Sequence, residues 1–244
     1  MNIWKFSSPF LFYKYSSKLV TIFGSLSLIL FIIGVYFSLF ISPVDSQQGE
    51  VYRIIFIHVP SAWMSMLIYL VMGFWSFIGL IFNTRLSFIL SHACAKTGAI
   101  MCFIALVTGS IWGKPTWGTW WVWDARLTSE LVLFFLYIGY ISLFKSIESF
   151  KKADQVCAYI AIFGTINVPI IYFSVKWWAT LHQGASLSFD GGSQIDSVML
   201  TSLLIMTFAF WFYCIAVILY RAKTIVIYRE SQKSWLKKDI LNAS

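Results

Sequence analysis

The residues most able to do chemistry fall in three short stretches. The richest reads Trp112-Gly-Lys-Pro-Thr-Trp117-Gly-Thr-Trp120-Trp121-Val-Trp123-Asp124-Ala-Arg126-Leu-Thr-Ser-Glu130, with five tryptophans inside twelve residues. The other two each hold a histidine among aromatic residues: Tyr52-Arg53-Ile-Ile-Phe-Ile-His58-Val-Pro60 and Trp177-Trp178-Ala-Thr-Leu-His182-Gln-Gly184. An interfacial aromatic belt accounts for one or two tryptophans at a helix end, not for five in one stretch. Trp117, Trp120, Trp121 and Asp124 stand at i, i+3, i+4 and i+7. A short interfacial helix would gather them on one face, with Trp123 turned toward lipid. Gly113, Pro115 and Gly118 make the approach to it a loop. Such an indole platform suits a broad, flat, apolar ligand, and porphyrin is the obvious candidate. His58 and His182 flanking it could then be axial ligands to haem iron; the alternative is a pair of hydrogen-bonded interface histidines. Arg53 and Arg126 could pair with the haem propionates through their planar forks. Lipid headgroups, or an ion pair such as Arg126 with Glu130, are equally good partners at this level.

These residues need elements to hold them, and the composition states which kind. Of 244 residues, 59% are hydrophobic and only 11% charged, with 12 Trp, 12 Tyr and 23 Phe; the mean hydropathy is +0.77. A soluble domain of this size cannot hide so much apolar surface, and a disordered chain would not carry it. The fold class expected is all-α: a single polytopic membrane domain over residues 1–244. Charge-free runs, set against the roughly 20 apolar residues that cross a bilayer, place six spans near 20–41, 61–82, 97–113, 127–144, 155–175 and 197–220. Glu130 interrupts the fourth. The basic N-terminus with Lys5, Lys14 and Lys18 is followed by too long an apolar run, with no cleavage site, to be a signal peptide; it reads as an anchor.

The net charge of +8 is a topology signal. Fourteen Lys and Arg fall on the side of the two termini, and only Arg53, Lys114, Arg126 and Lys176 on the other. The positive-inside rule makes both termini cytoplasmic. It leaves loops 42–60, 113–126 and 176–197 facing outward, with a cytoplasmic tail over 221–244 that extends the last helix and then becomes disordered. Nucleic acid is not an expected partner; the lipid bilayer is. His92 falls on the cytoplasmic side, where it is expected to be a plain loop residue. Cys94, Cys102, Cys157 and Cys214 lie in or beside spans, none in an outward loop, and read as packing residues. No C-x-x-C pair or C-x-x-C-H haem attachment site occurs, and no Walker A sequence.

The Trp117-Gly-Thr-Trp-Trp121-Val-Trp-Asp124 segment resembles the tryptophan-rich "WWD" signature of membrane haem-handling proteins. The continuation Asp124-Ala-Arg-Leu-Thr-Ser-Glu130, the six-span length and the two histidine stretches are similar to the cytochrome c maturation protein C family. The resemblance covers residues from about 19 to 220. It implies a haem-delivery protein with haem b as cargo, held outside the membrane by His58 and His182 as axial ligands. Trp117, Trp120, Trp121, Trp123 and Asp124 would shape the haem platform and the dock for a chaperone. The implied partners are the haem chaperone protein E, an ATP-binding-cassette ATPase (protein A), the membrane-embedded protein B that pairs with it, and a small protein D. A bacterial inner membrane with the site facing the periplasm is the expected location, a mitochondrial inner membrane the alternative. No general acid or base is evident, so transfer of the haem-lyase type would rest on positioning. A membrane cytochrome b, with histidines paired inside the bundle, and a permease with an aromatic gate are the rival readings.

Overall fold

The computed structural model describes residues 8–178, 180–182, 187–188, 192–193 and 195–236. Its helices are α1 (Pro9–Tyr36), α2 (Ile55–Phe82), α3 (Arg85–Trp117), α4 (Ala125–Ser146), α5 (Phe150–Gly164), α6 (Asn167–Trp177) and α7 (Ser197–Glu230). A short wide-turn segment over Phe37–Ile41 continues α1, and a tight turn over Glu50–Ile54 leads into α2. The only strands among the described residues are β1 (Leu187–Ser188) and β2 (Gly192–Ser193), an antiparallel two-residue ladder between α6 and α7. Six helical segments are long and apolar enough to cross a membrane, with α5 and α6 together making the fifth. The all-helical polytopic architecture is therefore the one the composition demands.

The burial pattern is inverted relative to a soluble protein. In α1 the buried residues are Ser16, Ser27 and Gly34, while Leu28, Phe31 and Ile32 are exposed. Without a hydrophobic force between helices in lipid, small and polar residues make the contacts and large apolar ones face the hydrocarbon. Ser27 donates to the Ala209 carbonyl at 2.9 Å, and the Ser42 and Ser202 hydroxyls meet at 2.8 Å, pinning α1 and its continuation to α7. The centre is built by α2, α3 and α4. There the Tyr69 and Tyr137 rings pack edge to face at 4.9 Å, and Tyr137 donates to the Ser65 carbonyl at 2.8 Å. All four cysteines are free and buried.

The sequence-based boundaries need correction at several places. α3 is 33 residues long, not a minimal span over 97–113, because only Asn83 and Thr84 separate it from α2. At about 1.5 Å per residue it is nearly 50 Å long, so its Trp117 end projects beyond a hydrocarbon core of about 30 Å. His92 consequently lies inside α3, half-buried and stacked on Phe144 with ring centroids 3.8 Å apart. It is a packing residue rather than a loop residue. α2 begins at Ile55, so His58 sits in its first turn rather than in the preceding loop. The fifth span breaks at Thr165 and Ile166. Pro169 has no N–H for the Thr165 carbonyl, and the chain loosens one turn ahead of it. The tail does continue α7 as a helix to Glu230; residues 237–244 lie outside the described residues.

Close approach of α3 to α4 depends on Gly98, where an added Cβ would overlap the Tyr137 phenol. Gly98→Val is expected to cost on the order of 1–3 kcal/mol through overpacking. A thermal unfolding midpoint in detergent would read this as a clear decrease, and an unchanged midpoint would contradict the packing described.

Candidate functional site

Four helix ends converge where the Trp-rich segment lies. The short interfacial helix expected over 117–124 is not formed. Instead Trp117 is the last residue of α3, Gly118 caps it with a φ of +79°, and Asp124 caps the start of α4. Only residues 119–123 remain between the two caps, too few for a stable helical turn of their own. The left-handed conformation at Gly118 is one that residues with a Cβ rarely adopt. The tryptophans are thus split between a helix end and an extended connection, not arrayed on one helical face.

The result is a cleft of about 460 Å³, counted out to its open mouth, with His58, His182, Trp117, Trp121, Arg126 and Glu130 among its lining residues. His58 reaches it from the first turn of α2, Trp117 from the end of α3, Arg126 from the second residue of α4, and His182 from the segment after α6. Trp120 and Trp123 do not line it: they are 58% and 76% exposed at the adjoining surface. Arg53 does not line it either, because its guanidinium is bound by the Glu50 carboxylate and the Ser38 carbonyl.

Each histidine is oriented through Nδ1. The Thr108 hydroxyl donates to the Ile104 carbonyl at 2.6 Å, which leaves its oxygen to accept from His58 Nδ1, 3.1 Å away. His182 Nδ1 donates to Asp124 Oδ2 at 3.3 Å, and Asp124 Oδ1 accepts from the Leu127 backbone N–H at 2.8 Å. In both cases the proton belongs on Nδ1, so the Nε2 lone pair is the one offered to a ligand. Burial pushes the His182 imidazole below the ordinary value of 6.5, and the Arg126 charge adds to this, while the Asp124 carboxylate opposes it. His182 is therefore a neutral donor, and its contact with Asp124 is a hydrogen bond rather than an ion pair.

Trp117 lies edge-on to His182, ring centroids 4.9 Å apart. Trp121 lines the cleft with a buried indole N–H that has no hydrogen-bond partner among the described residues. A buried donor left so costs about 1–3 kcal/mol, which an acceptor on a bound molecule would recover.

Sequence reasoning missed several residues that build this cleft. Trp112 stands in the tryptophan-rich stretch, but its spacing assigns it no role. Its N–H donates to Gln48 at 2.7 Å, and its ring backs His58 edge-on at 5.6 Å. At Gly109 a Cβ would stand 3.0 Å from His58 Cε1, and at Gly113 one would stand 3.0 Å from the Trp117 ring. These two glycines, four apart on α3, were the available signal, since they mark a helix face that rings approach closely. Glu130 is buried in the cleft floor, accepting from Ser65 at 2.7 Å and from the Cys102 thiol at 3.1 Å. Its carboxylate is thus engaged by neutral donors, while Arg126 lines the cleft.

The depressed His182 pKa has a direct readout. The ring should still be neutral at pH 6.5 and take up a proton only as pH falls further, through the folded-state value. Asp124→Asn removes the opposing charge, so neutrality should persist to lower pH still. Histidine-selective NMR titration checks both; a His182 that protonates at or above 6.5 would contradict the burial described.

Comparisons with known proteins agree over nearly the whole chain. The family model described as Heme exporter protein C (CcmC) matches residues 2–237. The Heme exporter protein C of Escherichia coli (strain K12) is 42% identical over 215 residues, covering 88% of this chain and 86% of the relative. That of Haemophilus influenzae is 37% identical over 239 residues, covering 96% and 97%. A putative cytochrome c biosynthesis ccmC-like mitochondrial protein of Marchantia polymorpha is 43% identical over 226 residues, covering 93% and 96%. With a family model spanning almost all of it and relatives of this identity matched along most of their length, the chain belongs to the heme exporter protein C family.

Proposed function

We propose that this protein handles haem b as cargo for the biogenesis of c-type cytochromes, binding it in the cleft and passing it to a haem chaperone. The observation that carries the reading is the pair of histidines on one cleft, each with Nδ1 committed to a neighbour and Nε2 left for iron. The donor set fits haem: neutral imidazoles are the usual axial ligands, and outer partners such as Thr108 and Asp124 fix their tautomers. Two histidines complete the coordination of the iron and so discourage reaction with oxygen. Trp117 and Trp121 supply apolar wall, and Arg126, with the Trp121 N–H beside it, suits a propionate. Arg53 is the weaker candidate for a propionate, because it does not line the cleft and its guanidinium is held by Glu50 and Ser38.

Trp120 and Trp123 stand exposed next to the cleft, where a partner can bury them. They are the dock for the chaperone, maturation protein E, in this reading; exposed aromatic anchors beside a site favour such a role. Transfer then works by proximity and orientation rather than by acid or base catalysis. ATP-driven work falls to the ATPase protein A, with the membrane-embedded protein B and the small protein D completing the complex. The Lys and Arg asymmetry supports a cleft on the periplasmic side of a bacterial inner membrane. The mitochondrial relative in Marchantia makes the corresponding face of a mitochondrial inner membrane the alternative.

The visible spectrum of protein purified from haem-replete cells tests the reading. A six-coordinate haem spectrum is expected, with His58→Ala and His182→Ala each losing one strong-field ligand and most chaperone loading. No haem absorbance at all would overturn the function. Variants that leave ligation intact would overturn the axial assignment, and sustained redox cycling with a quinol would favour a cytochrome b instead. Gly109→Ala gives a finer check. The substitution should leave stability equal or up to about 1 kcal/mol better, yet lower haem retention by crowding His58.

A further inference from the structure

A second recess opens at the opposite end of the bundle, between α1 and α7. It is an open recess lined by Phe10, Tyr13, Lys14, Ser17 and Lys223. Its lower wall is aromatic, with Trp235 packed edge-on against Phe10 and Tyr13 at 5.4 and 5.6 Å. Its upper wall is cationic. Lys223 is fixed in place, donating to the Ser17 hydroxyl with its ammonium 5.0 Å over the Tyr13 ring. Lys14 is exposed at the same recess, and Lys18 stands one turn further along α1.

Among the described residues no carboxylate pairs with Lys14, Lys18 or Lys223; Glu230 is paired with Arg85 and Asp154 with Arg229. The level in the membrane also agrees from both helices. Counting about 20 residues of hydrocarbon from Ile41 back along the first span reaches Thr21, which leaves Lys14, Ser17 and Lys18 roughly 5–10 Å beyond it. On α7 the level with Ile41 is Ser202, whose hydroxyl meets that of Ser42; the same count from there reaches Arg221 and leaves the Lys223 backbone about 3 Å beyond, its side chain reaching Ser17. Both lysines therefore fall in the headgroup region.

We propose that this recess binds the headgroup of an anionic phospholipid, its phosphate between Lys14 and Lys223 and its glycerol and upper acyl chain along Phe10 and Tyr13. Charge complementarity and depth select this occupant, because basic pockets between spans on the Lys-rich side are suited to acidic lipids. The site is distinct from the cleft and independent of the haem reading.

Native mass spectrometry of the full chain, released from micelles containing phosphatidylglycerol, cardiolipin or phosphatidylcholine, provides the test. The unaltered protein should retain the two anionic lipids over phosphatidylcholine. Each lysine near the surface contributes about 1 kcal/mol, so Lys14→Gln with Lys223→Gln should weaken retention roughly 30-fold. Lys145→Gln with Lys152→Gln, matched in charge, should not. Lys14→Gln alone leaves the Lys223 contacts in place and should read roughly fivefold. Equal retention by the recess variants and the unaltered protein would overturn the proposal. Displacement of the lipid by millimolar inorganic phosphate would replace it with a free-phosphate site, and equal binding of phosphatidylcholine would reduce it to an apolar groove.

Discussion

The Asp124 carboxylate is the joint on which the cleft depends. One oxygen accepts the Leu127 N–H and so starts α4; the other accepts His182 Nδ1. A helix N-cap of this type contributes about 1 kcal/mol by satisfying an otherwise orphaned amide. Here the same side chain also orients a ring that arrives from the far side of the fifth span. Arg126 two residues later takes its place on the cleft wall because α4 begins where it does. Losing the cap would therefore loosen the helix start, the imidazole and the guanidinium together. Asp124 is a positioning residue, reaching the cleft through His182.

The rest of the bundle supplies what that joint needs: backbones close enough for rings to meet. In hydrocarbon every backbone polar group must be satisfied within its own helix, so irregular chain is confined to the ends. The irregular chain at the cleft accordingly lies at the ends of α3, α4 and α6, while Met66, Ala105 and Ile171 line it from within regular helix. Small residues then set the spacing. Gly109 and Gly113 let His58 and Trp117 lie against α3, and Gly98 does the same for Tyr137 in the centre. Polar side chains such as Ser65 and Glu130 tie α2 to α4 beneath the cleft.

Legibility from sequence followed these physical scales. The existence of six spans depends on long runs of apolar residues, a sum that local detail cannot upset. Helix ends depend on single caps. The i, i+3, i+4, i+7 spacing of Trp117, Trp120, Trp121 and Asp124 suggested one helical face, but Gly118 and Asp124 act as a stop and a start and remove that helix. Arg53 and Arg126 looked alike in sequence. Their difference lies in neighbours: Glu50 and Ser38 hold the first, whereas Glu130, the partner suggested for the second, is engaged by Ser65 and Cys102. Thr108 and Trp112 were invisible because their role is defined by His58, some fifty residues away, and no local pattern reports such a contact; only the Gly109 and Gly113 spacing hinted at that face.

The charge economy of the two ends follows from what each must leave open. At the cleft, the imidazoles bring donor nitrogens without charge, and burial helps keep His182 neutral. Arg126 is the one Lys or Arg among the residues lining it. In the proposed reading, a single guanidinium near the two neutral imidazoles would give an anionic cargo one preferred direction, whereas several cations would bind its acidic edge in many. At the other end the logic reverses. Among the described residues Lys14, Lys18 and Lys223 have no acidic partner, and Lys14 and Lys223 line a recess with Phe10 and Tyr13. Clustering costs little there, because lipid headgroups and water screen the repulsion that a buried site would not. Sparse charge at one end favours orientation of a bound molecule, and dense charge at the other favours anchoring to the membrane surface.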